Sequence, residues 1–284
     1  REQGYHKNDI PELILKNNWF GLDIDDRAGQ LSILSVILKA REYDKNVFNK
    51  NLIKNLNIFT IQETNNVSKS DLNIIKTDDE ISEIVDYIYN TFQNAKEIGS
   101  LLIIKNKNYE KVIERIRMLN DKQLTIFDFE KMKIINEKIL PILNIAKILS
   151  EKYEIVVTNP PYLSTNKMGI ELKKYLKKEY IDSKSDLCTA FMEVKFLKAD
   201  GYSAIINQQS WMFLQTFENF RKKMIKNTTV FSMIHLGSRA FEEISGEVVQ
   251  TTSFVFKKQK KDVYGAFFRL VDFNNAELKE KMYL

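Results

Sequence analysis

The sequence predicts an α/β protein with a largely parallel sheet, and three observations carry that expectation. A short apolar strand ending in acids, Trp19 to Asp25, is followed by an amphipathic helix and a second strand, Leu56 to Ile61. From Lys152 onward, strand-like and helix-like segments alternate again. Between the two stretches, residues 62–150 read as mostly helical, so the sheet grammar is interrupted by a helical insertion.

In the first helix, Leu31, Leu34 and Leu38 recur at helical spacing, with Ile33 and Ile37 widening the apolar face. In the helical segment, Ile81, Ile84, Val85 and Ile88 form an i, i+3, i+4, i+7 stripe, and Val112, Ile113 and Ile116 behave alike. Pro141 is expected to kink or restart the last helix of that segment. Ile155-Val156-Val157 reads as a buried strand, Thr189 to Leu197 as a helix, and Ser203 to Ile206 as a strand. Phe217 to Ile225 is then helical, and Val230 to Ile234, Thr252 to Phe256 and Ala266 to Val271 are strands. The expected divisions are 1–61, the first part of the sheet; 62–150, the helical insertion; 151–262, the chemical part; and 263–284, the start of a further region.

Composition excludes several classes. One cysteine, Cys188, permits no intramolecular disulfide and no multi-cysteine zinc site, which points to a reducing compartment. The histidines, His6 and His235, lie far apart without ligand-like spacing, so no metal centre is expected. No run reaches the roughly 18 to 20 apolar residues of a membrane span, and no secretory signal is seen, so a cytoplasmic location is expected. The charge balance is mild, 43 Lys and Arg against 38 Asp and Glu. Basic residues cluster at Lys167 to Lys184, at Arg221 to Lys226 and at Lys257 to Lys261, which permits phosphate contacts without proving them.

The chemistry concentrates where the prolines do. Two of the four prolines are adjacent, in Asn159-Pro160-Pro161-Tyr162, directly after a strand. At the carboxyl end of such a strand, ligands of α/β proteins bind. Two prolines hold the backbone extended and remove two N–H donors, leaving carbonyl acceptors. The Asn159 amide oxygen adds another. Acceptors converging on one point grip an amino group that carries two hydrogens and draw its lone pair out of ring conjugation. Tyr162 offers a flat face for a planar ring. This is a site for alkylating an sp² amine, with a sulfonium methyl group as the natural donor.

The segment Val156-Val157-Thr158-Asn159-Pro160-Pro161-Tyr162 resembles motif IV of the γ-class adenine-N6 DNA methyltransferases. The surrounding pattern is similar to the large adenine methyltransferases of BREX phage-defence systems and their type IIG restriction-modification relatives. Gly21-Leu22-Asp23-Ile24-Asp25-Asp26-Arg27-Ala28 resembles motif II, which implies that Asp23 binds the cofactor ribose and Ile24 flanks its adenine. Ser185-Asp186-Leu187-Cys188-Thr189-Ala190-Phe191 looks like motif V, which implies that Phe191 closes the cofactor pocket. Gln209-Ser210-Trp211 resembles the next motif and is expected to be structural. Leu236-Gly237-Ser238-Arg239-Ala240-Phe241 looks like motif VIII, which implies that Phe241 and Tyr162 sandwich a flipped target base.

The resemblance implies a partial Rossmann-like class I methyltransferase fold with a helical insertion between motifs II and IV. It implies S-adenosyl-L-methionine as cofactor, double-stranded DNA as partner, and further defence-system proteins as associates. The pattern departs from the family in three places. No Gly-x-Gly occurs among nine glycines, so motif I is missing. Only Gln62-Glu63 could serve as motif III, and little chain remains after motif VIII for target recognition. An internal piece of a longer enzyme is the expectation. Protein glutamine methyltransferases, which also present Asn-Pro-Pro-Tyr to a planar amide nitrogen, and a non-catalytic DNA- or partner-binding fragment are the alternatives.

Overall fold

The computed structural model describes residues 4–50, 56–122, 125–193, 195–240 and 249–284. The chain divides into two compact units, Arg1–Glu151 and Lys152–Leu284.

In the first unit a short helix, α1 (Ile10–Asn17), precedes strand β1 (Phe20–Asp23). Helix α2 (Asp26–Arg41) then leads to β2 (Asn57–Thr60), which pairs with β1 in parallel so that Asp23 lies opposite Thr60. Asp25 starts α2 because its carboxylate accepts the backbone N–H groups of Arg27 and Ala28 at 2.8 and 2.9 Å. Gly29 is buried in the first turns of α2, where a Cβ would stand 2.2 Å from Thr60 Cγ2. Only a glycine lets helix and strand approach this closely.

The periodicity of α2 is as expected, but its buried face is not the leucine stripe. Leu31, Leu34 and Leu38 are exposed, whereas Ile37 and Ala40 are buried with Leu15, Val47 and Leu56. Two strands lie about 5 Å apart, so one narrow stripe of the helix suffices to cover them.

The same unit contains α3 (Asp79–Thr91), α4 (Tyr109–Asn120), α5 (Ile126–Ile134) and α6 (Leu140–Ser150). Here the predicted stripes are the core: Ile81, Ile84, Val85, Ile88, Val112, Ile113 and Ile116 are all buried. Pro141 sits in the first turn of α6, directly after a π-helical turn, Ile135–Ile139. The ring has no N–H to give to the preceding turn, and the wider turn accommodates that loss.

The second unit is a five-stranded sheet with helices. Its elements are β3 (Tyr153–Thr158), α7 (Ile170–Glu179), α8 (Leu187–Met192), β4 (Leu197–Gln208) and α9 (Glu218–Asn227). They are followed by β5 (Thr229–Gly237), β6 (Thr251–Lys257), β7 (Ala266–Arg269) and α10 (Ala276–Tyr283). The strand order is β3-β4-β6-β5-β7, with β6 antiparallel to its neighbours and the other pairings parallel. Strands β3, β4 and β5 therefore all point the same way, and their carboxyl ends share one edge of the sheet. Met192, Leu197, Ile205, Trp211, Phe217, Phe220, Met224, Phe254 and Phe256 form the core of this unit.

Two expectations need correction. The helix expected over Thr189 to Leu197 runs from Leu187 to Met192, because Asp186 caps it earlier and Leu197 pairs with Tyr153 as the first residue of β4. The Ile155-Val156-Val157 run is not buried on both sides. Val156 packs on the core, while Ile155 and Val157 are 67% and 75% exposed on the opposite face. Beta-branched runs read as two-sided burial, and β3 is an edge strand covered on one face only. Among the described residues, no helix is long and apolar enough to cross a membrane.

Candidate active site

Asn159-Pro160-Pro161-Tyr162 comes directly after the last residue of β3, at the edge where β4 and β5 also end. Asn159 and Pro161 are exposed, Pro160 is buried and Tyr162 is half-buried. The Tyr162 hydroxyl is buried and has no hydrogen-bond partner among the described residues. Burial, with the nearby Cys188 thiol, pushes its pKa up to about 12. Tyr162 is thus anchored by its edge, and its hydroxyl takes no part in a polar network.

A backbone clasp holds the residues just beyond Tyr162. Ser164 and Asp186 form an antiparallel bridge, Leu187 N–H donates to Leu163 O at 2.9 Å, and Thr165 N–H donates to Ser185 O at 3.1 Å. The Thr165 hydroxyl donates to the same carbonyl at 2.8 Å. Asp186 is buried and accepts the Cys188 N–H at 3.0 Å, which starts α8. The predicted motifs IV and V are therefore stitched together, and the half-buried Phe191 of α8 belongs to the same construction. Burial pushes the Cys188 thiol far up, so it is an inert core residue.

At the end of β4, Trp211 is buried against Phe254 and Phe220, with ring centroids 5.4 and 6.4 Å away. Its indole N–H donates to the buried Asn207 Oδ1 at 3.1 Å. These contacts are those of a core residue. Sequence reading missed the neighbouring cluster: Gln209 bonds both Gln250 and His235 Nε2, and Phe213 lies 5.9 Å from the His235 ring. Burial, with Arg269 and Lys279 near, lowers the His235 pKa. A histidine between the apolar Ile234 and Leu236 of β5 was the available signal.

At the end of β5, Gly237 and Arg239 adopt positive φ values of 66° and 57° and turn the chain out of the strand. A Cβ on Gly237 would also meet Val271 Cγ1 at 2.9 Å. The buried Lys279 ammonium donates to Leu236 O at 2.5 Å and to Leu270 O at 2.9 Å, which ties α10 to this exit. Phe241 lies outside the described residues.

Asp23 and Ile24 belong to the first unit, at the carboxyl end of β1. Asp23 is half-buried, and its Oδ1 accepts the Asp25 N–H at 2.9 Å. Its other carboxylate oxygen takes no bond among the described residues, and Ile24 beside it is 47% exposed. An acid with a disengaged oxygen next to an open apolar surface suits a ribose diol joined to a flat base. Gln62 is spent differently: its amide donates to Asp26 Oδ1 at 3.0 Å and Thr60 Oγ1 at 3.1 Å. The Thr60 hydroxyl and Lys96 also hold the Asp26 carboxyl below its usual pKa. A cavity of about 980 Å³ between α1 and α2 is lined by none of the predicted site residues.

Comparison with known proteins bears on this geometry. The adenine-specific methyltransferase BrxX of Escherichia coli O9:H4 (strain HS) is 36% identical over 99% of this chain and 25% of its own length. PglX of Lacticaseibacillus casei (strain Zhang), also described as an adenine-specific methyltransferase, is 36% identical over 100% of this chain and 24% of its own length. The chain thus spans about a quarter of the length of the curated relatives it matches. Among solved structures, a nuclease-deletion mutant of the Type ISP restriction-modification enzyme LlaGI, in complex with a DNA substrate mimic, aligns with 97% of this chain and 27% of its own. Its identity is 15% and its TM-score 0.41. The Eco57I restriction-modification methylase model matches residues 17–241, from just before β1 to four residues past the end of β5, and the chain belongs to that family.

Proposed function

We propose that the protein to which this chain belongs transfers a methyl group from S-adenosylmethionine to N6 of adenine in double-stranded DNA, in restriction-modification or phage defence. The observation that carries this reading is Asn159-Pro160-Pro161-Tyr162 at the carboxyl end of β3, within a chain of this methylase family. The names of the two relatives, both adenine-specific methyltransferases, support the choice of base.

The chain's residues divide the work. Asn159, exposed at the strand end, and the Pro160 carbonyl accept the two hydrogens of the adenine amine. This orientation restores lone-pair character to the nitrogen and aims it for in-line attack. Pro161 keeps the backbone extended and offers no competing N–H. When bound, S-adenosylmethionine supplies an electrophilic methyl carbon on its sulfonium. As the new C–N bond would form, the bond from the methyl carbon to sulfur would break and its electron pair leave on a neutral thioether; the Asn159 oxygen and the Pro160 carbonyl would hold the hydrogens of the now cationic amine, and one proton would pass to solvent. Asp23 takes the ribose hydroxyls, Ile24 flanks the cofactor adenine, and Phe191 closes over the cofactor.

Tyr162 and Phe241 would hold the extruded base by stacking, worth about 1 to 3 kcal/mol per base.

The full-length protein, given radiolabelled methyl donor with unmodified DNA or with a peptide-release factor, tests the reading. Label is expected in DNA as N6-methyladenine. Label found only in the protein substrate would overturn the reading in favour of glutamine methylation.

A further inference from the structure

The sequence contains three basic clusters, and the structure treats them differently. In the second, Arg221 donates to the carbonyls of Trp211 and Leu214, Lys222 pairs with Glu218 at 2.6 Å, and Lys223 with Asp182 at 3.2 Å. In the third, the buried Lys257 lies 4.8 Å from the Tyr202 ring centroid and Lys258 donates to Leu197 O at 3.1 Å. Most of these cations are committed to holding the fold.

The first cluster is not. On α7, Leu172 and Leu176 face the core, together with the flanking Met168 and Tyr180. The opposite face presents Ile170, Lys173, Lys174 and Lys177 at i, i+3, i+4 and i+7, with Ile170 82% exposed. Among the described residues, none of these three lysines makes an ion pair, and neither do Lys167 and Lys184. The clasp places those last two together, since Lys184 O accepts the Thr165 hydroxyl at 3.1 Å. The acids of the segment are largely occupied: Glu179 pairs with Lys178, Asp182 with Lys223, and Asp186 caps α8. Glu171 remains, three residues before Lys174 and on its flank of the helix, and it forms no ion pair among the described residues.

We infer that the exposed face of α7, with Lys167 and Lys184, is the surface that grips the DNA phosphate backbone beside the methylation site. The inference rests on the proposed DNA substrate and assigns it a docking element. Uncommitted ammonium groups gain by replacing the counterions condensed on a polyanion. The stripe from Ile170 to Lys177 is about 10 Å long, which matches about three nucleotide steps at 3.4 Å each. Its position is set by the clasp, so phosphates held here lie close along the chain to Asn159.

The test uses the full-length protein and a fluorescent duplex, with affinity measured as a function of salt. For the Lys173→Gln/Lys174→Gln/Lys177→Gln variant, the slope of log affinity against log salt should be shallower by about 2 to 3, and binding at low salt about tenfold to a hundredfold weaker. Thermal unfolding should be unchanged, because none of the three side chains holds an ion pair among the described residues. A control variant, Lys222→Gln/Lys226→Gln, removes surface charge elsewhere and should leave the slope nearly as it is. An unchanged slope in the triple variant, or an equal fall in the control, overturns the inference. The slope also separates the two proposals: DNA binding with the predicted change but no methyl transfer would retain this surface and reject the activity. Failure of the wild-type protein to bind DNA would reject both.

Discussion

At the scale of single residues, the proposed reaction gives Asn159, Tyr162 and Asp23 separable roles. Asn159 contributes one acceptor to a preorganised pair, so Asn159→Ala in the full-length enzyme should lower kcat by about 10² to 10³. Its side chain is exposed, so circular dichroism and thermal unfolding should match the wild type. Tyr162 carries a buried hydroxyl with no partner among the described residues. Tyr162→Phe should therefore keep activity within a few-fold and leave stability equal or slightly higher, since burying an unpaired hydroxyl costs about 1 to 3 kcal/mol. Tyr162→Ala, by contrast, should lose base stacking and raise KM for DNA. Asp23→Ala should weaken S-adenosylmethionine binding about tenfold to a hundredfold by calorimetry, the range for a hydrogen bond to a charged group. The strand-end placement of Asn159 and Asp23 was legible from the chain, because an apolar run stops there at a polar residue. The Gln209, His235 and Gln250 cluster was not, because its members come from three segments that meet only when β4, β5 and β6 align.

Elements were legible more reliably in type than in orientation. Periodicity in α3 and α4 located both helices and their buried faces, because each is surrounded by other helices and its apolar stripe has a neighbour to meet. The same reasoning located α2 but missed its buried side, since a stripe says which residues are apolar and not which surface is available to cover them. Gly29 shows what does fix α2 on its sheet. Gly29→Ala would force a Cβ into Thr60 Cγ2, a short branched side chain with little room to retreat. Overpacking of this kind costs about 1 to 3 kcal/mol, and a lowered melting temperature of the protein should report it. The double mutant with Thr60→Ser, which removes the clashing methyl, should recover most of the loss. The basic clusters teach a similar lesson: they look alike in sequence, and only ion-pair geometry separates lysines that hold the fold from those left for a partner.

At the scale of the whole molecule, two units carry the predicted site residues. Asp23 and Ile24 stand in one, Asn159 to Tyr162 and Phe191 in the other. Strand β3 leaves Ile155 and Val157 exposed, and the chain spans about a quarter of its curated relatives. The proposed activity is therefore measured on the full-length protein. The most direct measurement is nucleoside mass spectrometry of DNA from cells lacking other adenine methylases and expressing either the wild-type protein or Asn159→Ala. N6-methyladenine is expected with the wild type, and its loss, to background, with the variant at equal protein level. Equal N6-methyladenine in the two strains would contradict the role of Asn159, and none in either would contradict DNA adenine methylation itself.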